Sequence, residues 1–330
     1  MKDYKIGYVT YNNEPIFGID FFIEYIAHLN EKYQLDLNII HINDYTKEIC
    51  DLVLYTCASG IRGCHELYEQ YKNRSFFKNA KGSPKFLLIN WGEHRGFPEY
   101  GMKDEIYLST FNNYVPNYNE YKCYSITMQK TTQYNYCIPY CIDAFFCTGL
   151  INSYNDILKN KKNTKTNFCS MIFSHGTYER EFIYNELAKY KKIDCFGNLY
   201  KNVENRYYGD EELNKLIPSY KFNICFENTH SEDNEFYVTE KLCNAFKWGT
   251  IPIYWGNNKQ VYEIFNKDSF INLTDVPQHK WIDIIKEYDT NDDLYNNILN
   301  QNPILDSNII NKYFEDKEKF IVNILTNENN

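Results

Sequence analysis

Residues 226 to 249 read FENTHSEDNEFYVTEKLCNAFKWG. Within them, Thr239-Glu240-Lys241 has the order of a helix start, a hydroxyl able to cap followed by a carboxylate and an ammonium in the first turn. The N–H groups of such a turn and the Lys241 ammonium form a site for phosphate oxygens. Glu240 is out of place against phosphate alone. A carboxylate there suits hydroxyl groups, or positive charge that develops in a transition state. The same three residues also fit an ordinary capped helix with a surface Glu and Lys. Glu232, Asp233 and Glu235 just upstream repel anions, so they are expected on a rim, as a flap or as an acceptor-side surface.

The elements around this stretch decide where its side chains point. Phe222 to Phe226 is read as a buried strand, so Glu227 and Asn228 emerge at its carboxyl end, the edge where open parallel sheets bind ligands. Glu227 there either orients the loop or is solvated. Leu242, Ala245 and Phe246 give the following helix an apolar face, and Gly249 suits a left-handed C-terminal cap. Thr250 to Trp255 is the next strand. Upstream, Phe168 to Phe173 and Ile193 to Phe196 are strands flanking a helix that runs from Tyr178 through YEREFIYNELAKY and carries Arg180. Arg180 is read either as an anion ligand at that helix start or as a surface charge between Glu179 and Glu181.

The first half repeats the alternation. Strands are predicted at Lys5 to Tyr11, Leu35 to His41, Asp51 to Thr56 and Lys85 to Trp91, the last running into Gly92-Glu93-His94. A helix opening at Asp20 places Phe22, Ile23, Ile26 and Leu29 on one face. The Lys/Asn-rich run from Asn152 to Asn167 is the expected linker, dividing the chain into α/β halves at residues 1–155 and 156–330, with a ligand between them. Helical spacing returns from Ile309 to Leu325 behind a Ser307 cap, and that apolar stripe is expected to pack back on the first half. Trp91 and Trp255, at strand ends, are read as core packing.

Composition narrows the partners. The 330 residues carry 43% hydrophobic side chains, enough for two cores, and a formal net charge of −9, which argues against nucleic acid or an anionic membrane. No apolar run of membrane length and no basic-then-apolar leader is present, so a soluble, cytoplasmic protein is expected. Of the 11 cysteines, none form Cys-x-x-Cys, and buried thiols in a reducing compartment are expected over a zinc site at Cys137, Cys141 and Cys147.

YKFNICFEN, FYVTEKLCNAF and GTIPIYWG followed by DSFINL, in this order and spacing over Tyr220 to Leu273, resemble the signature of the GT10 family, the α-1,3-fucosyltransferases. FCSMIFSHGTYEREFIYNEL and FLLINWGEH resemble, more loosely, the family's strand-then-arginine-helix element and the first-domain strand that ends in its catalytic glutamate. The resemblance implies a GT-B fold of two Rossmann-like domains facing a cleft, acceptor-binding first and GDP-fucose-binding second, with a bridging terminal helix. Carried over to this chain, it implies that Arg180 and Lys241 neutralise the diphosphate, that Asn228 and Tyr237 line the donor pocket, and that Glu240 holds fucose hydroxyls. Glu93 is then the general base, with His94 and Glu99 as alternatives.

The implied reaction is an inverting transfer of L-fucose from GDP-fucose to a glycan hydroxyl, α-1,3 to GlcNAc or a related sugar. Asp-x-Asp, the usual metal-holding pair of other glycosyltransferases, is absent from the sequence, so no metal is expected. The loop 229–236 is longer and more acidic than the family's usual link, and the first half does not specify the acceptor. The competing readings are a GT-B transferase with another nucleotide sugar and a non-catalytic nucleotide-sugar or glycan binding module.

Overall fold

The computed structural model describes residues 2–8, 10–11, 14–15, 19–57, 75–90, 122–127, 131, 133–139, 141–142, 161–203, 210–228, 237–304 and 306–327. They form two compact α/β units, one of Met1–Ile138 together with Lys312–Asn330 and one of Pro139–Asn311.

In the first unit the described strands are β1 (Lys2–Tyr8), β2 (Thr10–Tyr11), β3 (Glu14–Pro15), β4 (Leu37–Ile42), β5 (Leu52–Cys57), β6 (Lys85–Asn90), β7 (Cys123–Thr127) and β8 (Asn135–Cys137). Six of them make a sheet in the order β4-β1-β5-β6-β7-β8, parallel throughout, while β2 and β3 pair antiparallel apart from it. The strand expected unbroken from Lys5 to Tyr11 therefore starts earlier and ends at Tyr8. Helix α1 (Ile19–Lys32) buries the expected stripe of Phe22, Ile23, Ile26 and Leu29. A short helix, α2 (Ser75–Asn79), precedes β6.

The second unit repeats the plan with β9 (Asn167–Met171), α3 (Tyr178–Leu187), β10 (Ile193–Cys195), α4 (Asp210–Leu216), β11 (Tyr220–Phe226), α5 (Glu240–Lys247), β12 (Ile251–Trp255), α6 (Asn258–Ile264) and β13 (Ile271–Asn272). Its sheet runs β10-β9-β11-β12-β13, again parallel. The chain goes from β9 outward to β10, then returns to lay β11 on the other side of β9. The order therefore reverses between β9 and β11, and in open sheets of this kind ligands bind at the carboxyl ends of the strands at such a point. Helices α7 (Trp281–Thr290) and α8 (Asp292–Asn300) complete the unit. Trp281 meets Phe182 and Phe226 edge-on, which ties α7 to α3 and to the end of β11. Trp255 packs on Phe226, in line with a core role.

Two buried devices fasten the opposite edge of this sheet. Lys165, before β9, donates to the carbonyls of Pro218 and Gly249, which precede β11 and β12. Burial pulls its ammonium down to about 8. Asp289, near the end of α7, accepts from Lys191, Lys221 and Tyr190. Burial works against its ionisation, but the hydrogen bonds from Lys191, Lys221 and Tyr190 win and hold the carboxyl below its usual range.

The last helix, α9 (Ser307–Thr326), begins in the second unit, and its residues from Lys312 onward belong to the first. Glu318 accepts from Lys32 and Tyr33 on and just after α1, the Tyr136 hydroxyl donates to Tyr313 O, and Lys85 donates to the carbonyls of Ile324 and Asn327. That ammonium meets the negative end of the helix dipole. The stripe packs as expected, with Ile310, Ile321, Ile324 and Leu325 buried. The helix begins at Ser307 itself, and Asp306, the residue before it, accepts the Asn308 N–H. No helix among the described residues is long and apolar enough to cross a membrane.

Candidate active site at the carboxyl edge of the second sheet

The carboxyl ends of β9 and β11 are where the side chains singled out from the sequence gather. Arg180 lies in the first turn of α3, behind an N-cap formed by Thr177, whose hydroxyl accepts the Arg180 N–H. Its side chain is not a surface charge: Arg180 is only 2% exposed. The guanidinium donates to His175 O, to Phe226 O at 2.7 Å and to Asn228 Oδ1, and lies 4.0 Å from the centre of the Phe173 ring. It therefore joins the residues that follow β9 to those that follow β11, across the reversal point. Helix α3 stops at Leu187, short of the Tyr190 end that the sequence suggests, with Ala188 closing it.

Residue 227 carries the second half of the site. Side chains alternate along a strand, so Asn223, Cys225 and Glu227 share one face of β11 and its continuation. Cys225 Sγ contacts Lys241 O at 3.4 Å. Glu227, with no exposed surface, accepts the Thr239 N–H and hydroxyl at 2.7 Å each and the Lys241 ammonium at 3.2 Å. Burial pushes its carboxyl above the usual range; Lys241 and the Thr239 bonds pull the other way, and Glu240 adds to the rise. Of the two readings the sequence left for Glu227, orienting the loop and being solvated, the contacts select the first.

Thr239 occupies the N-cap position of α5, as expected, but its side chain makes no capping bond to the helix. The hydroxyl is engaged by Glu227 and accepts from the Lys241 ammonium at 2.9 Å. The expected Gly249 terminator is present, with φ of 67° and its N–H on Phe246 O at 2.9 Å. Glu240 is the more open of the adjacent pair, its side chain 36% exposed against 15% for Lys241, with 3.8 Å between the charged atoms. Tyr237 is buried, and the backbone beside it is held by the Cys141 N–H on Val238 O. Cys243 reaches Cys141 O from α5.

Phe226, Glu227 and Asn228 thus touch both cationic side chains, Arg180 through Phe226 and Asn228, Lys241 through Glu227. The arrangement presents a guanidinium, an ammonium, a helix amino end and a partly open carboxylate along one strand end. Together they suit an anion joined to a polyhydroxylated group. Glu93, His94, Glu99 and the acidic cluster at Glu232, Asp233 and Glu235 lie outside the described residues, as does Cys147. Cys137 and Cys141 are buried free thiols, and no cluster of potential metal ligands occurs among the described residues.

Two glycines shape the site without having been singled out in the sequence. A Cβ on Gly197 would stand 2.0 Å from Phe173 O, and one on Gly256 would stand 2.7 Å from Glu227 Cγ and 2.4 Å from the Tyr254 hydroxyl. Both follow strands at the carboxyl edge, the one signal that could have marked them.

Comparison with known proteins points the same way. Residues 158–324 match the family model for glycosyltransferase family 10 (fucosyltransferase), C-terminal part. The chain is 28% identical over 287 residues to the alpha-(1,3)-fucosyltransferase FucT of Helicobacter pylori, covering 84% of this chain and 55% of that protein. It is 36% identical over 114 residues to 4-galactosyl-N-acetylglucosaminide 3-alpha-L-fucosyltransferase 9 of Mus musculus, covering 34% of this chain and 30% of that one. The chain therefore spans about half, or less, of the length of these relatives. A crystal structure of an alpha1,3-fucosyltransferase with GDP-fucose superposes with a TM-score of 0.65 at 19% identity, covering 100% of this chain and 93% of that one. The fold is accordingly GT-B, with two parallel-sheet α/β domains.

Proposed function

Because the chain belongs to glycosyltransferase family 10, the fucosyltransferases, we propose that it moves L-fucose from GDP-fucose to a hydroxyl of an acceptor glycan. The observation that carries this reading is the joining of Arg180 and Asn228 across the reversal point of the second sheet, beside Lys241 at the start of α5. A nucleoside diphosphate sugar has the two halves that such a site addresses, an anionic diphosphate and a hydroxyl-rich ring.

In the proposed reaction residues 156–330 hold the donor and residues 1–155 the acceptor. Arg180, Lys241 and the amino end of α5 carry the diphosphate charge, Asn228 and Tyr237 line the donor site, and Glu240 meets the fucose hydroxyls and the oxocarbenium-like charge at C1. The acceptor hydroxyl loses its proton to Glu93, or to His94 or Glu99. Its oxygen bonds to C1 on one face while the C1–O bond to phosphate breaks on the other, so GDP leaves and the configuration inverts. A carboxylate base contributes on the order of 100- to 10,000-fold. The acceptor class is a GlcNAc-type sugar fucosylated in α-1,3 linkage, and the two cations do the work a divalent metal performs elsewhere.

The test is incubation with a panel of nucleotide sugars and a glycan array, with and without chelator. Fucose transfer from GDP-fucose that persists in EDTA is expected. Transfer from UDP-glucose but not GDP-fucose would replace the donor assignment. Binding of GDP with no turnover would make the chain a binding module, and dependence on added manganese would overturn metal independence.

A further inference from the structure

We infer that Glu227 is a positioning residue that acts through Lys241 and Thr239 to hold the amino end of α5 ready for the diphosphate. This rests on the reading of Lys241 as a diphosphate ligand given above.

The geometry allows Glu227 little else. Its two carboxylate oxygens are divided between the Thr239 N–H on one side and the Thr239 hydroxyl and Lys241 ammonium on the other. The hydroxyl is thereby turned away from capping duty and passed on to Lys241, whose ammonium it accepts. Lys241 is thus gripped by two oxygens of one buried cluster, with its side chain 15% exposed. The cluster is fixed in turn by what backs it. The Glu227 N–H continues the ladder onto Trp255 O at 2.9 Å, and Gly256 leaves room for the Glu227 side chain where any Cβ would collide with it.

Stability is a poor explanation for such a carboxylate. A buried ion pair is often no better for the folded state than a neutral replacement of similar shape. Burial also raises the Glu227 carboxyl above its ordinary range, so its ionised form is penalised by folding. What the cluster supplies is a lysine ammonium fixed before the ligand arrives. Fixing a lysine side chain in advance strengthens binding by about tenfold or more, on the order of the rotamer freedom otherwise lost.

The sign of the effect separates positioning from charge. Removing a negative charge beside an anion site should, by Coulomb attraction alone, tighten GDP binding; removing a positioning group should weaken it. The experiment is calorimetric GDP titration of the wild type, Glu227→Gln, Lys241→Met and the double variant, with thermal melts of each. Glu227→Gln is expected to melt cooperatively, at a lower temperature than wild type because Lys241 loses its charged partner, and to bind GDP about tenfold more weakly. In the Lys241→Met background the same change is expected to matter less than about threefold, since its route is already gone.

Glu227→Gln that binds GDP as tightly as wild type, or more tightly, overturns the inference, and so do effects that multiply in the double variant. Should Glu227→Gln fail to fold, Thr239→Val removes the bridging hydroxyl and leaves both charges. Several-fold weaker GDP binding by that variant supports positioning, and unchanged binding overturns it. Wild type that does not bind GDP would sink the donor reading itself, a different failure from a wild type that binds and a Glu227→Gln that binds equally.

Discussion

Gly197→Ala should disable the site from behind. Gly197 follows β10, and its missing Cβ would fall 2.0 Å from Phe173 O, where real Cβ contacts stay beyond 3.0 Å. Backbone at Phe173 must therefore give by about 1 Å, or the loop after β10 must lift by as much. Neither move is free. Phe173 O accepts the Leu199 N–H at 2.9 Å, and the Phe173 ring lies 4.0 Å from the Arg180 guanidinium carbon. Overpacking of this kind costs about 1–3 kcal/mol. For a unit of this size that lowers Tm by roughly 3–10 °C. A shift of about 1 Å in Arg180 costs on the order of 100-fold in turnover. Differential scanning calorimetry and donor-dependent kcat/KM read both effects. Gly176→Ala is the control. There the Cβ would meet only the end of the flexible, exposed Glu181 side chain, so Tm should stay within about 2 °C. Gly197→Ala that melts with wild type and keeps its kcat/KM would refute the argument.

Two further outcomes concern the far edge of the same sheet. Asp289→Asn should lower stability by about 3 kcal/mol at pH 7, because it leaves Lys191 and Lys221 facing a neutral amide. The Asp289 carboxyl is held low in the folded state, so its contribution is present above the unfolded value and lost as pH falls through the folded one. The gap between wild type and variant in urea melts should close below about pH 4, and a pH-independent gap would contradict this. For Lys165, whose ammonium is pulled down to about 8 from 10.5, the unfolded chain binds the extra proton between those values. The stability advantage of wild type over Lys165→Met should therefore grow as pH rises from 8 towards 10.5, and a constant or shrinking difference would count against it.

Periodicity made the repeated α/β plan readable, because continuous apolar runs such as Phe86 to Ile89 have few alternatives to a buried parallel strand. Helix α1 declared its buried face by spacing alone. The short strands β7 and β8 were not foreseen, nor were helices α6 to α8. Cys123–Thr127 and Asn135–Cys137 are brief and carry polar residues that only a buried sheet neighbour, such as Ser125 bonded to Asn135, can satisfy. At the site, the motif placed Glu240 and Lys241 on a helix start correctly. It could not show that the Thr239 hydroxyl turns toward Glu227, because that depends on a carboxylate 12 residues away in sequence. Arg180 was ambiguous for a like reason. Its neighbours Glu179 and Glu181 suggest a solvated face, and only the return of β11 beside β9 buries it.

The clasp formed by α9 also sets the order in which the chain can be completed during synthesis. The unit that holds the first 138 residues needs Lys312 and beyond, including the Ile324 and Asn327 carbonyls that Lys85 ties down. The second unit has its whole complement once Asn311 is made. At typical elongation rates the first-made half waits roughly 10–40 s for its last helix. Until then Lys32, Tyr33, Lys85 and Tyr136 lack the partners on α9 that they bond in the folded unit. A chain stopped shortly before α9 would therefore hold a first unit without the helix that Lys32, Tyr33 and Lys85 tie to it.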